Sequence, residues 1–98
     1  MSAPIELNER QLLAVMEEVR NRVRNGDGPR RLTQQERKDT LFCLDESIEL
    51  LTPLARGIRV VDFSGALAEV LQFCSMVVNS HWGVAVVDEV LARKGAVA

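Results

Sequence analysis

From Phe63 to Val87 the chain carries one formal charge, Glu69, while its first half is dense in Arg, Glu and Asp. Any fold must cover that apolar third, so it marks either the core or an interface. The stretch 66–87 is also long enough to cross a bilayer, which takes about 20 residues. It contains Glu69, Gln72, Asn79 and His81, and polar groups near a bilayer centre are unfavourable by up to about 3 kcal/mol each. The expectation is therefore a buried segment of a soluble protein, with no membrane association.

A chain of 98 residues has room for one domain, spanning 1–98, and hides only about 60 to 68% of the surface it exposes when unfolded. The hydrophobic share is 47%, with three Phe, one Trp and no Tyr, so Leu, Val and Ala must supply most of the packing. At roughly 25 cal/mol per Å² of buried apolar area, a small aliphatic core gains little over chain entropy. Self-association is one remedy, and a homodimer is expected. The net charge of -2 gives no global pull toward nucleic acid or anionic lipid. Residues 1–11 show neither the basic leader nor the apolar run of a secretory signal. Cys43 and Cys74 are accordingly expected to stay reduced in the cytoplasm as small buried hydrophobes, at a spacing that fits no zinc or redox motif.

The periodicity predicts helices over about 8–25, 33–55, 63–79 and 81–94, an all-α bundle of three or four helices. Asn8 with Gln11, and Thr33 with Glu36, read as capping boxes. Leu12, Met16, Val19 and Val23 share one face of the first helix, with Glu18 and Arg22 paired one turn apart on the opposite face. The run from Asn25 to Pro29 should stop it. Leu41, Leu44, Ile48, Leu51 and Ala55 form the seam of the second helix, which Pro53 should end or kink, with Thr52 able to cap a short restarted turn. Ile58 to Val61 reads as a linker packed on the core. Asp62 or Ser64 can cap the third helix, whose face is Leu67, Val70, Leu71, Cys74, Val77 and Val78. Asn79, Ser80 and Gly83 suggest a boundary before a last helix with Trp82, Val86, Val87, Val90 and Leu91 inside and Glu89 paired to Arg93 outside. Whether these are two helices or one, the pattern leaves open, since a helical Gly costs only about 1 kcal/mol.

Motifs for chemistry are few. His81 is the only histidine, and on a continuous helix Cys74 would lie about 10.5 Å away from it in rise, too far for a dyad. One His and two Cys are too few for a closed zinc site. Asp45, Glu46 and Glu49 gather carboxylates on the second helix, read as a solvated face or as an acidic patch for a basic partner or for Arg56 and Arg59. No catalytic residue, metal or cofactor is expected. A possible anion or nucleic-acid patch comprises Arg20, Arg24, Arg30, Arg31 and Lys38, beside a helix N-terminus. Glu36 and Asp39 sit in the same region and would face phosphates unfavourably.

The leading expectation is a non-enzymatic protein–protein interaction module. It would be a small regulator (antiactivator, inhibitor or adaptor) that binds a partner such as a transcription factor through apolar helical surface. Its interface residues are Phe73, Met76, Val77, Val78, Trp82 and Val86, because Trp and Met are adaptable anchors. The alternative is a small DNA- or RNA-binding regulator that uses the basic region from Arg20 to Lys38.

Overall fold

In the computed structural model, residues 6–28, 30–59 and 65–93 are described. They form four helices and no strand: α1 (Glu9–Arg24), α2 (Gln34–Ala55), α3 (Ala66–Val78) and α4 (His81–Arg93). Both capping boxes are present. The Asn8 side chain accepts from the Gln11 N–H at 2.8 Å while Gln11 Oε1 accepts from the Asn8 N–H at 3.0 Å. Thr33 Oγ1 and Glu36 Oε1 do the same reciprocally at 3.1 and 3.0 Å. Each box satisfies two backbone donors that the helix itself leaves open, which fixes where α1 and α2 begin.

Both helices also end alike. Gly26 has φ 90° and Gly57 has φ 77°, the left-handed geometry that a Cβ disfavours. The Gly26 and Asp27 N–H groups donate to the Val23 and Arg22 carbonyls at 3.1 and 2.8 Å, and those of Gly57 and Ile58 donate to Leu54 and Pro53 at 3.0 and 2.9 Å. This Schellman pattern satisfies the last carbonyls of each helix. Of the outcomes the sequence allowed at Pro53, a stop does not occur, and α2 reaches Ala55 as the expected range 33–55 has it. The helix runs two residues past it, and the Pro53 carbonyl helps close the terminus. Nor does Thr52 cap a new turn: its hydroxyl donates back to the Ile48 carbonyl at 2.7 Å. Ile58 is exposed rather than packed on the core. Val60 and Val61, like the expected caps Asp62 and Ser64 and the residue Phe63, lie outside the described residues. Gly65 stands at the N-cap of α3 with no side-chain bond.

The core joins all four helices. Val15, Met16, Val19 and Val23 of α1 meet Leu44, Ile48 and Leu51 of α2, Val70, Cys74 and Val78 of α3, and Val86, Val87 and Val90 of α4. It is aliphatic, as composition requires, and Trp82 and Phe73 pack against it only in part. α1 packs most extensively on α2. Across α1 and α4 an ion network supplements the packing. Arg22 bonds Glu18 at 3.0 Å and also Glu89, and Arg93 bonds Glu18 at 2.9 Å. Glu89 and Arg93 thus each pair with α1, where the sequence pattern suggested a pair within α4. Glu18 and Arg22 face the fourth helix rather than open solvent. Arg22 and Arg93 together hold the Glu18 carboxyl below its ordinary range, Arg22 the more strongly.

The α3–α4 boundary is a sharp corner, and the two axes differ by 90°. Ser80 makes it with both faces of its hydroxyl, donating to the Val77 carbonyl at 2.7 Å and accepting from the Gly83 N–H at 2.9 Å. Gly83 is buried, and a Cβ there would overlap the Val77 carbonyl oxygen and lie 2.8 Å from Ser80 Oγ. The glycine is needed for close approach of α3's last turn to α4's first. Gly83→Ala should lower the unfolding free energy by about 1–3 kcal/mol through this overlap, and Ser80→Ala by about 1 kcal/mol through the lost cap. Urea titration checks both, and a Gly83→Ala protein as stable as the parent would show that the corner does not depend on the missing side chain.

Candidate functional site

Three surface cavities border α3. One of about 310 Å³ lies between α2 and α3, lined by Cys43, Glu46, Ser47, Glu49, Leu50, Ala66, Glu69, Val70 and Phe73. A second, about 320 Å³, is formed by Glu6, Leu7, Leu12, Leu71, Ser75 and Val78. The third, about 250 Å³, is lined by Val19, Val23, Leu32, Thr40, Leu44, Phe73, Met76, Val77, Ser80 and Trp82. Its lining side chains are apolar apart from the hydroxyls of Thr40 and Ser80 and the indole N–H of Trp82. Phe73 lines the first and the third, so these form one seam in which the early part of α2 faces the late part of α3.

The structure gathers four of the six residues expected at an interface into the third groove: Phe73, Met76, Val77 and Trp82. Met76 is 67% exposed at its edge, and Phe73, Val77 and Trp82 are half-buried in its wall. Val78 and Val86 sit elsewhere, inside the core, covered by the chain's own helices. Leu71, expected on the inner face of α3, is 42% exposed and borders the second cavity. Phe42 is 63% exposed on α2, at a position one step outside the Leu41–Leu44 seam that periodicity could have flagged as an unburied aromatic.

The basic patch comes apart into paired and unpaired members. Arg20 bonds Asp45 at 3.3 Å, and Arg30 pairs with Glu36. Arg24, Arg31 and Lys38 are exposed and make no ion pair among the described residues. The Arg30 guanidinium, with the Thr33 backbone N–H, pulls the Glu36 carboxyl down to about 2. Of the acidic group on α2, Asp45 is taken by Arg20. Glu46 and Glu49 face the α2–α3 groove with Glu69 and make no ion pair with Arg56, Arg59 or any other described residue.

The two thiols have opposite environments. Cys74 is buried beside the Ser47 hydroxyl, and burial pushes its thiol upward, partly offset by that hydroxyl. Cys43 is exposed, against expectation: it lies outside the Leu41–Leu44–Ile48 seam, on the open wall of the α2–α3 groove. His81 is exposed at the first residue of α4. No cluster of three or more metal-ligating side chains occurs among the described residues. No single helix is long and apolar enough to cross a membrane; α3 and α4 reach that length and composition only as the bent pair. The chain matches no protein family, no curated protein and no solved structure.

Two measurements check this geometry. A neutral-pH thiol reagent should modify Cys43 within minutes and leave Cys74 unmodified until the protein unfolds; equal rates would contradict the burial of Cys74. The folded Glu36 carboxyl lies below its unfolded value, so its pairing stabilises the fold above the ordinary carboxylate range and that contribution fades as pH falls toward about 2. Carboxyl-detected NMR should place its midpoint there, and Arg30→Ala should return it toward the ordinary value.

Proposed function

We propose that this protein is a non-enzymatic interaction module, a small helical regulator of the antiactivator, inhibitor or adaptor kind. It would act in the cytoplasm and take an apolar helical segment of a partner protein, such as a transcription factor, into the groove beside α3. A homodimer through the same surface belongs to this reading. The observation that carries it is Met76, a large flexible apolar side chain left mostly in water at the edge of a groove whose walls are almost wholly apolar. Burying such a side chain contributes about 1.5–3 kcal/mol, and a fold that leaves it out forgoes that stabilisation unless another surface covers it. Met adapts to varied partners, and the adjacent Phe73 and Trp82 supply rigid area at small entropic cost. The two free cysteines, one buried and one exposed, accord with a reducing compartment.

The alternative, duplex binding through the basic region, draws mainly on Arg24, Arg31 and Lys38, because Arg20 and Arg30 already neutralise carboxylates. Three exposed cations give a shallow salt dependence and weak affinity.

Met76→Glu places a charge in the groove without disturbing buried packing. It should abolish retention of a native partner from the source cell in a pull-down, while Asp88→Lys, on the exposed side of α4, should not. Unchanged circular dichroism and thermal midpoint would confirm that Met76→Glu stays folded. Equal retention by both variants would remove the groove from the reading, and affinity for a generic duplex that falls steeply with salt would favour the alternative.

A further inference from the structure

The α2–α3 seam is electrically polar along its length, and this gives it a complement in its own surface. At one end the carboxylates of Glu46, Glu49 and Glu69 line the groove with no cation paired to them among the described residues. At the other end Val23 and Leu32 line the groove, and their chain neighbours Arg24 and Arg31 are exposed and unpaired. Arg37 and Lys38 add charge there, and Asp27 and Asp39 leave that corner net positive. Lys38 and Glu49 are separated by about 16 Å of helical rise along α2, a span that fits within one standard interface of about 800 Å² per partner. Phe73 lies between the two ends and belongs to both grooves, with Met76 projecting beside it.

We infer that the occupant of this seam is a second copy of the chain, docked about a two-fold axis near Phe73 and Met76. The acidic groove of each copy then meets the Arg24 and Arg31 corner of the other. An isologous contact repeats every pairing twice, so a surface that is apolar at its centre and opposite in charge at its two ends is complementary to itself when rotated by half a turn. The same polarity disfavours a parallel arrangement, in which like charges would face each other. This rests on the reading of the apolar groove as an interface and adds its orientation and occupant.

Sedimentation equilibrium of the whole chain tests it. The parent protein should dimerise, and its dissociation constant should rise at least about tenfold between 50 mM and 500 mM salt. Glu46→Lys with Glu49→Lys should be monomeric at concentrations where the parent is dimeric, and so should Arg24→Glu with Arg31→Glu. Mixing the two charge-reversed proteins should restore a dimer containing one of each, because one of its two charged contacts is matched in the reversed sense while the other keeps the parent sense. Circular dichroism of each variant alone separates misfolding from dissociation, and the rescue on mixing cannot arise from misfolded chains. A parent protein that stays monomeric at millimolar concentration, a dimer that persists in either variant, or a mixture that fails to associate would overturn the inference. If Met76→Glu dissociates the dimer while both charge reversals leave it intact, the apolar interface stands and the two-fold orientation falls. If Met76→Glu has no effect, the apolar reading itself fails.

Discussion

The corner between α3 and α4 sets the shape of the whole molecule. A continuous helix from Ala66 to Arg93 would be about 42 Å long, more than the 37 Å of the molecule's longest extent. Such a helix would carry its apolar surface past the ends of α1 and α2. Breaking it at Asn79–Ser80 folds the apolar third back on itself, so that Val70, Cys74 and Val78 approach the core from one direction and Val86, Val87 and Val90 from another. The break depends on a hydrogen-bond relay through one hydroxyl and on the absence of one side chain. Ser80 joins the Val77 carbonyl in the last turn of α3 to the Gly83 N–H in the first turn of α4, and the missing side chain of Gly83 lets the two backbones come close enough for it to reach both.

That corner also decides which helix is left partly uncovered. α1 and α2 pack along each other, and α4 is held to α1 both by valines and by the Arg93–Glu18–Arg22–Glu89 network. These ion pairs are partly exposed and individually contribute little, but they share the Glu18 carboxylate and the Arg22 guanidinium and so fix relative position. α3 has no comparable tie among the ion pairs of the described residues, and every cavity described above touches it. Its inward stripe is narrow, three buried residues, while Leu71 and Met76 face outward. The exposed large apolar side chains among the described residues are thus divided between α3, with Leu71 and Met76, and α2 and the residues after it, with Phe42 and Ile58.

Much of this was legible in the order of residues because it is local. A capping box needs only a side chain and a backbone group three positions apart, and both Asn8–Gln11 and Thr33–Glu36 form as their spacing suggests. Helical periodicity likewise placed Met16, Val19, Leu44, Ile48 and Leu51 inside. What was not legible depended on where neighbouring helices end up. Glu89 and Arg93 have ideal spacing for each other, yet α1 brings opposite charges to both. Leu71 lies on the face of α3 that periodicity assigns to the core, and residue type assigns Cys43 to the interior; both are exposed, Leu71 beside the cavity it forms with Leu7 and Leu12 and Cys43 on the wall of the α2–α3 groove. Gly83 belongs to a boundary signal with Asn79 and Ser80 that leaves one helix or two open, and its role in the corner appears only when the Val77 carbonyl is seen against it.

The candidate site follows the same division. Four apolar residues chosen by residue type and mutual proximity in sequence, Phe73, Met76, Val77 and Trp82, fall together because the corner at Ser80 turns Trp82 back beside Val77. Val78 and Val86, chosen by the same criterion, are buried instead, because each falls on the inward stripe of its own helix, Val78 with Val70 and Cys74 on α3 and Val86 with Val87 and Val90 on α4. A small aliphatic domain has few residues large enough to fill a gap between four helices. Here the two largest nearby, Phe73 and Trp82, pack only in part against the core, and their remaining surface forms the wall of the groove. The surface that could receive another chain and the incomplete packing of α3 are one physical feature, and a substitution that improves the packing of Phe73 or Trp82 inward would be expected to gain stability only by removing the groove.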